Sequence, residues 1–104
     1  MNIIKEIIEN QGIKYSISGS LAGTEKSMIR LFETISIDLE NSPKSIILNM
    51  ENVTFLDSMS IGLLIGLLLK CKEIGIDFKL EHVPDHIKKM LDSGNLKKGF
   101  PELY

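Results

Sequence analysis

The residues best placed to do chemistry are Asp57 and Ser58, neighbours in the run Val53-Thr54-Phe55-Leu56-Asp57-Ser58-Met59-Ser60-Ile61-Gly62. There a buried apolar strand is expected to run straight into a helix. Each of the two is a good N-cap, because a short side-chain oxygen can accept from the free amides of a first helical turn. The same amides, with the positive end of the helix dipole, also seat an anion. The Ser58 hydroxyl is therefore either a plain cap or a place where a phosphate can be attached and tolerated.

Other reactive side chains form weaker patterns. His82 and His86 are four apart but straddle Pro84, without the cysteine or carboxylate neighbours that metal sites use. They read as a strand-end and a helix-face residue. Cys71, the only cysteine, excludes a disulfide framework or thiolate metal site and reads as a small core residue. Asp57 alone is thin as a Mg²⁺ ligand. The chain has no G-x-x-x-x-G-K-[ST] loop and no G-x-S-x-G elbow. No catalytic residue, metal or cofactor is expected, and the protein is not read as an enzyme.

With 104 residues the chain is expected to be one domain, 1–104, built around one core. Its 43% hydrophobic and 25% charged residues are those of a globular protein. A net charge of -2 gives no electrostatic case for nucleic acid or an anionic membrane. The start, Met1 to Asn10, is broken by Lys5, Glu6 and Glu9 and is not a signal peptide. The longest apolar run, Ile61 to Leu69, falls far short of the ~20 residues that a bilayer requires. A soluble, cytoplasmic protein without membrane insertion is expected.

The elements that must position the Asp57–Ser58 pair follow from periodicity. Ile13, Tyr15, Ile17, Gly19 and Leu21 alternate with Lys14, Ser16, Ser18 and Ser20, the pattern of a half-buried strand. Asn10-Gln11-Gly12 is turn chemistry, so Asn2 to Ile8 reads as its hairpin partner, although Ile3, Ile4, Ile7 and Ile8 also fit a helical spacing. From Thr24 to Leu39 an amphipathic helix places Met28, Leu31, Phe32, Ile35 and Leu39 on one stripe, with Glu25, Arg30, Glu33 and Asp38 mostly away from it. Asn41-Ser42-Pro43 ends it. Ser45 to Met50, with Ile46-Ile47-Leu48, reads as a central parallel strand covered on both faces. The helix from Ser58 runs to about Ile74 and stops at Gly75. Ile76, Phe78 and Leu80 mark another strand, and Pro84 opens a short helix closed by Ser93-Gly94-Asn95. The order β-β-α-β-α-β-α implies a mixed sheet with helices packed on it.

The helix after Ser58 has no polar side chain between Ser60 and Lys70. At about 100° per residue, Ile61, Leu64, Ile65, Leu68 and Cys71 cluster on one face, assigned to the sheet. The opposite stripe, marked by Lys70 and Glu73, leads back through Gly66, Leu63 and Met59, flanked by Leu67. Apolar surface next to a helix start is expected to dock a partner, the alternatives being self-association into a dimer or cover by the chain itself.

The run Ile46-Ile47-Leu48-Asn49-Met50-Glu51-Asn52-Val53-Thr54-Phe55-Leu56-Asp57-Ser58, followed by Ile61-Gly62 and a long helix, resembles the core of the STAS domain, specifically that of anti-sigma factor antagonists. The likeness continues through Glu73-Ile74-Gly75 to Ile87-Lys88-Lys89-Met90-Leu91-Asp92-Ser93-Gly94-Asn95-Leu96 and covers roughly residues 13 to 96. It implies an α/β fold, a mixed sheet of four to five strands with helices mainly on one side.

The resemblance also implies a non-enzymatic switch. Unphosphorylated, such a domain binds an anti-sigma factor, typically a serine kinase, and frees a sigma factor. The kinase phosphorylates the serine after the motif aspartate, here Ser58, and binding is lost until a phosphatase restores it. Ser58 is thus the expected phosphorylation site, and Asp57, Met59, Ser60, Leu63 and Leu67 the expected partner-binding residues. Met59 and Ser60 stand where the family usually has a small residue or serine and then glycine, so Ser60 adds a side chain where bare backbone is favoured. Set against the resemblance, the sequence to Tyr104 is expected to stop short of the terminal helix that many members carry. The alternative implied by the same family is a scaffold or regulatory subunit of a transporter or signalling complex, with no phosphorylation switch.

Overall fold

The computed structural model describes residues 2–23 and 26–104, so the expected helix start at Thr24 and Glu25 lies outside the described residues. Strands β1 (Asn2–Ile8), β2 (Gly12–Leu21), β3 (Ser45–Leu56) and β4 (Asp77–Glu81) form one four-stranded sheet in the order β1-β2-β3-β4. Helix α1 (Lys26–Leu39) connects β2 to β3, α2 (Ser58–Ile74) connects β3 to β4, and α3 (Asp85–Ser93) follows. A short α4 (Leu96–Gly99), which periodicity did not reveal, precedes the C-terminal tail.

The ambiguous first segment is a strand. It pairs antiparallel with β2 from Asn2↔Ser18 to Ile8↔Gly12, and the turn between them holds Asn10 and Gln11 in the left-handed region at φ 60° and 62°. An asparagine tolerates that conformation because its short side chain bonds locally. Strands β2, β3 and β4 run parallel, so the sheet is mixed.

One face of the sheet carries the core. Tyr15, Ile17 and Leu21, then Ile46, Leu48 and Met50, then Phe78 and Leu80 are all buried there. Met28, Leu31, Ile35 and Leu39 of α1 and Ile87 and Leu91 of α3 join them, as the helical spacing requires. The opposite face is open, which corrects the expectation that β3 is covered on both sides. Ile47 is only half-buried, and its register neighbours are Lys14 on β2 and Lys79 on β4. Aliphatic lysine stems flanking an isoleucine shield it while their ammonium groups stay in water. A run of three apolar residues therefore does not require a second layer.

Asp38 departs from its expected outward position. It is buried at 7% exposure, accepts from the Tyr15 hydroxyl, and pairs with Lys5 Nζ of β1 at 2.8 Å. Burial pushes the Tyr15 hydroxyl pKa up, and its hydrogen bond to Asp38 and the charge there push it further. The phenol stays protonated and donates, so β1, β2 and α1 are tied through one satisfied polar cluster.

Candidate functional site

Helix α2 begins where β3 ends, and its cap decides what Ser58 is free to do. Asp57 is the N-cap, extended at φ -122° and ψ 177°, and its Oδ1 accepts from Ser60 N at 2.8 Å. Ser60 Oγ in turn accepts from Asp57 N at 2.8 Å, which completes a capping box. The same hydroxyl lies 2.8 Å from Asp57 O. Ile61 N donates to Asp57 O at 3.0 Å. The capping role therefore belongs to Asp57. Ser58, the first residue inside the helix, is exposed, and its hydroxyl makes no hydrogen bond with any described residue.

Gly23, just after β2, locks this junction from outside. Its N–H reaches both Asp57 carboxylate oxygens, at 3.0 and 3.1 Å. A Cβ at Gly23 would lie 2.5 Å from Met59 Cβ and Cγ and 2.9 Å from Ser60 N. Only bare backbone lets the loop approach so closely. Gly23→Ala is accordingly expected to lower stability by about 1–3 kcal/mol, read as a reduced melting temperature. An unchanged melting temperature would show that the loop has room to retreat. Gly23 is a positioning residue that the sequence reasoning missed; its only signal was a glycine closing a strand 34 residues before its partner.

Backbone donation from Ser60, and then from Gly23, holds the Asp57 carboxyl below its ordinary pKa. A carboxylate whose folded pKa is depressed contributes stability above its unfolded value of about 3.9, and loses that contribution as pH falls through the lower folded value. Wild type should therefore be more stable than Asp57→Asn at neutral pH, with the gap closing below about pH 4. Asparagine keeps an oxygen for the cap, so an acid-insensitive gap would assign the difference to geometry and not charge.

The expected partner-binding residues separate on the structure. Ser58 and Met59 are exposed, Met59 at 56%. Ser60 is wholly buried, turned inward by the capping box, and so cannot touch a partner. Leu67 is also a correction: it is 1% exposed and part of the core. Leu63 is half-buried. The cause is that α2 packs against α1 as well as the sheet, so it buries a wider arc than sheet contact alone demands. The solvent stripe is rotated accordingly and runs through Ser58, Met59, Gly62, Gly66, Leu69 and Glu73. Beyond the helix's own backbone, no described residue comes within 4 Å of where a Cβ at Gly62 or Gly66 would lie, which leaves that surface smooth.

A groove of about 370 Å³ opens beside Ser58, between the start of α2 at Gly62 and Ile65 and the end of α3 at Met90 and Ser93. Gly94 allows α3 to end close by, since a Cβ there would lie 3.1 Å from Ile61 Cγ2. Phe55, two residues before Asp57 near the end of β3, is 41% exposed. Elsewhere, burial pushes the Cys71 thiol up to about 11 against an opposing Lys70 charge, as for a core residue. His82 follows β4 and His86 lies exposed on α3. No group of three or more metal-ligating side chains occurs among the described residues. Among them, too, no helix is long and apolar enough to cross a membrane.

A mixed four-stranded sheet with a serine exposed at a capped strand-to-helix junction defines the class as an α/β domain built around a helix start. The chain belongs to the STAS domain family, whose model matches residues 3–104. It is similar in structure to the anti-sigma factor antagonist SpoIIAA in its unphosphorylated form, with a TM-score of 0.79 and 18% identity over 93% of this chain and 84% of that one. An anti-sigma factor antagonist from Mycobacterium paratuberculosis superposes at 0.75, with 20% identity over 96% and 82% of the two chains. A sulfate transporter family protein from Wolinella succinogenes superposes at 0.76, with 19% identity over 90% and 75%. At these identities the likeness is one of fold. No curated protein matches the chain by sequence.

Proposed function

We propose that the protein is an anti-sigma factor antagonist, with residues 1–104 acting as one non-enzymatic STAS unit. Unphosphorylated, it docks through Ser58, Met59 and the smooth surface at Gly62 onto an anti-sigma factor that is itself a serine kinase. Transfer of phosphate to Ser58 ends the complex, and a phosphatase resets it. The observation that carries this reading is the division of labour at the junction. Asp57 caps α2, Ser60 is locked inside, and Ser58 offers, beside exposed Met59, a hydroxyl that no described residue engages. The named likeness supports it: one solved relative is SpoIIAA described as phosphorylated, with a TM-score of 0.74.

Phosphosite mapping after incubation with the cognate kinase and ATP tests the assignment. One phosphate on Ser58 is expected, with no ATP turnover when the kinase is omitted. A phosphate confined to Ser60, or to a site away from α2, would overturn it. The likeness to the sulfate transporter family protein favours a second reading, a scaffold within a transporter complex. That reading expects no phosphate on Ser58 and a membrane-protein partner in a pull-down.

A further inference from the structure

The sheet has two edges, and they are treated differently. On the β4 side, Leu80 N donates to Leu103 O at 2.8 Å, so the C-terminal tail covers part of that edge. On the β1 side, no backbone hydrogen bond from the outer edge of Asn2–Ile8 reaches any described residue. An unpaired edge is a template for another strand unless it is short, bulged, covered, or interrupted by proline or unpaired charge. β1 is seven residues long without proline, and its inward charge, Lys5, is neutralised by Asp38. Ile4 and Ile7 are the most exposed strand hydrophobics, at 62% and 72%.

Beside this edge lies a groove of about 690 Å³, between residues 2–5 of β1 and Lys26, Arg30 and Thr34 of α1. It is basic on a chain whose net charge is -2. Lys26 and Arg30 are exposed and make no ion pair with any described residue, and no described carboxylate lines the groove. A sheet edge flanked by a helix is the geometry in which an extended peptide adds a strand, with backbone bonds for affinity and side-chain contacts for selection.

We propose that β1 and α1 form a second docking site, separate from Ser58, for an extended segment of another protein that alternates apolar and acidic residues. Its backbone pairs with the open edge of β1, and its carboxylates meet Lys26 and Arg30. A second copy of this chain fits less well. Antiparallel pairing about a two-fold axis keeps each sheet face on its own side, so the copy's groove-side residues are Ile3, Lys5 and Ile7. Its Glu6 falls on the open face with Lys14, away from Arg30.

The test uses the full chain, ¹⁵N-labelled, titrated with a capped octapeptide alternating valine and glutamate. Amides of β1 are expected to shift and gain exchange protection while those of Ser58, Met59 and Gly62 do not. Lys26→Glu with Arg30→Glu, both at exposed positions, should leave the spectrum folded and weaken binding on the order of tenfold or more. Four outcomes would overturn the proposal. They are unperturbed β1 amides at saturation, equal binding of a control octapeptide alternating valine and lysine, concentration-dependent β1 protection without peptide, or perturbation of the groove by phosphatidylglycerol vesicles but not by the valine–glutamate peptide. The third would assign the edge to self-association and the fourth to a lipid surface.

Discussion

Under the proposed switch, Ser58→Asp is expected to abolish binding to the proposed partner kinase while Ser58→Ala binds as wild type. Phosphorylation, which the aspartate imitates in part, adds about -1.5 to -2 charges at pH 7. A helix N-terminus favours such an anion by roughly 0.3–1 kcal/mol. The junction limits that gain, because the Ser60 and Ile61 amides are already engaged by Asp57. The Asp57 carboxylate next to the new charge opposes it. These terms nearly cancel, so the fold should persist with a melting temperature close to that of wild type. At the interface nothing comparable offsets the change. A dianion pressed against a surface shaped for a neutral hydroxyl costs several kcal/mol unless cations meet it. A loss of about 4 kcal/mol weakens binding roughly a thousandfold. Tight binding by Ser58→Asp, measured by calorimetry against the isolated kinase, would rule out the switch and favour the scaffold reading.

Leu67→Asp should unfold the protein, and Met59→Asp should not. Leu67 is 1% exposed inside the layer shared by α1, α2 and the sheet. Its replacement removes a buried aliphatic side chain and leaves a carboxylate without a partner, a loss of about 3–5 kcal/mol or more. That is a large share of the 5–15 kcal/mol typical of a whole domain. Met59 lies 56% exposed on the first turn of the same helix, so aspartate there should change stability by about 0.5 kcal/mol or less. Met59→Asp should nevertheless weaken binding of the proposed partner at least as strongly as Ser58→Asp, since it places an unpaired carboxylate on the proposed docking surface. Chemical denaturation of both variants, followed by circular dichroism, separates the cases. A folded Leu67→Asp beside an unfolded Met59→Asp would reverse the facing of α2.

The sequence by itself determined those features whose cause lies within a few residues. The period-2 alternation of Ile13 to Leu21 specified β2. The Gly75 stop appears as a left-handed residue at φ 78°, directly after a helix that ends at Ile74 as expected. The junction at Asp57–Ser58 was legible for the same reason, because a cap is a matter of two or three adjacent residues. Which of the two hydrogen-bond acceptors, carboxylate or hydroxyl, would serve as cap was not legible, and the tertiary structure decided it. Gly23 arrives from 34 residues away to clamp the carboxylate, and that commitment leaves the hydroxyl outside. Leu67 was misplaced because helical periodicity locates an apolar arc but not how wide an arc its neighbours cover; contact with α1 widened it. Asp38 was misplaced because its partners, Tyr15 and Lys5, lie on strands far off in the chain. Ile47 was over-buried on paper because the flanking lysines come from the register of three strands. In each case a short-range pattern names the element, while the direction a side chain finally takes depends on long-range partners that only packing brings together.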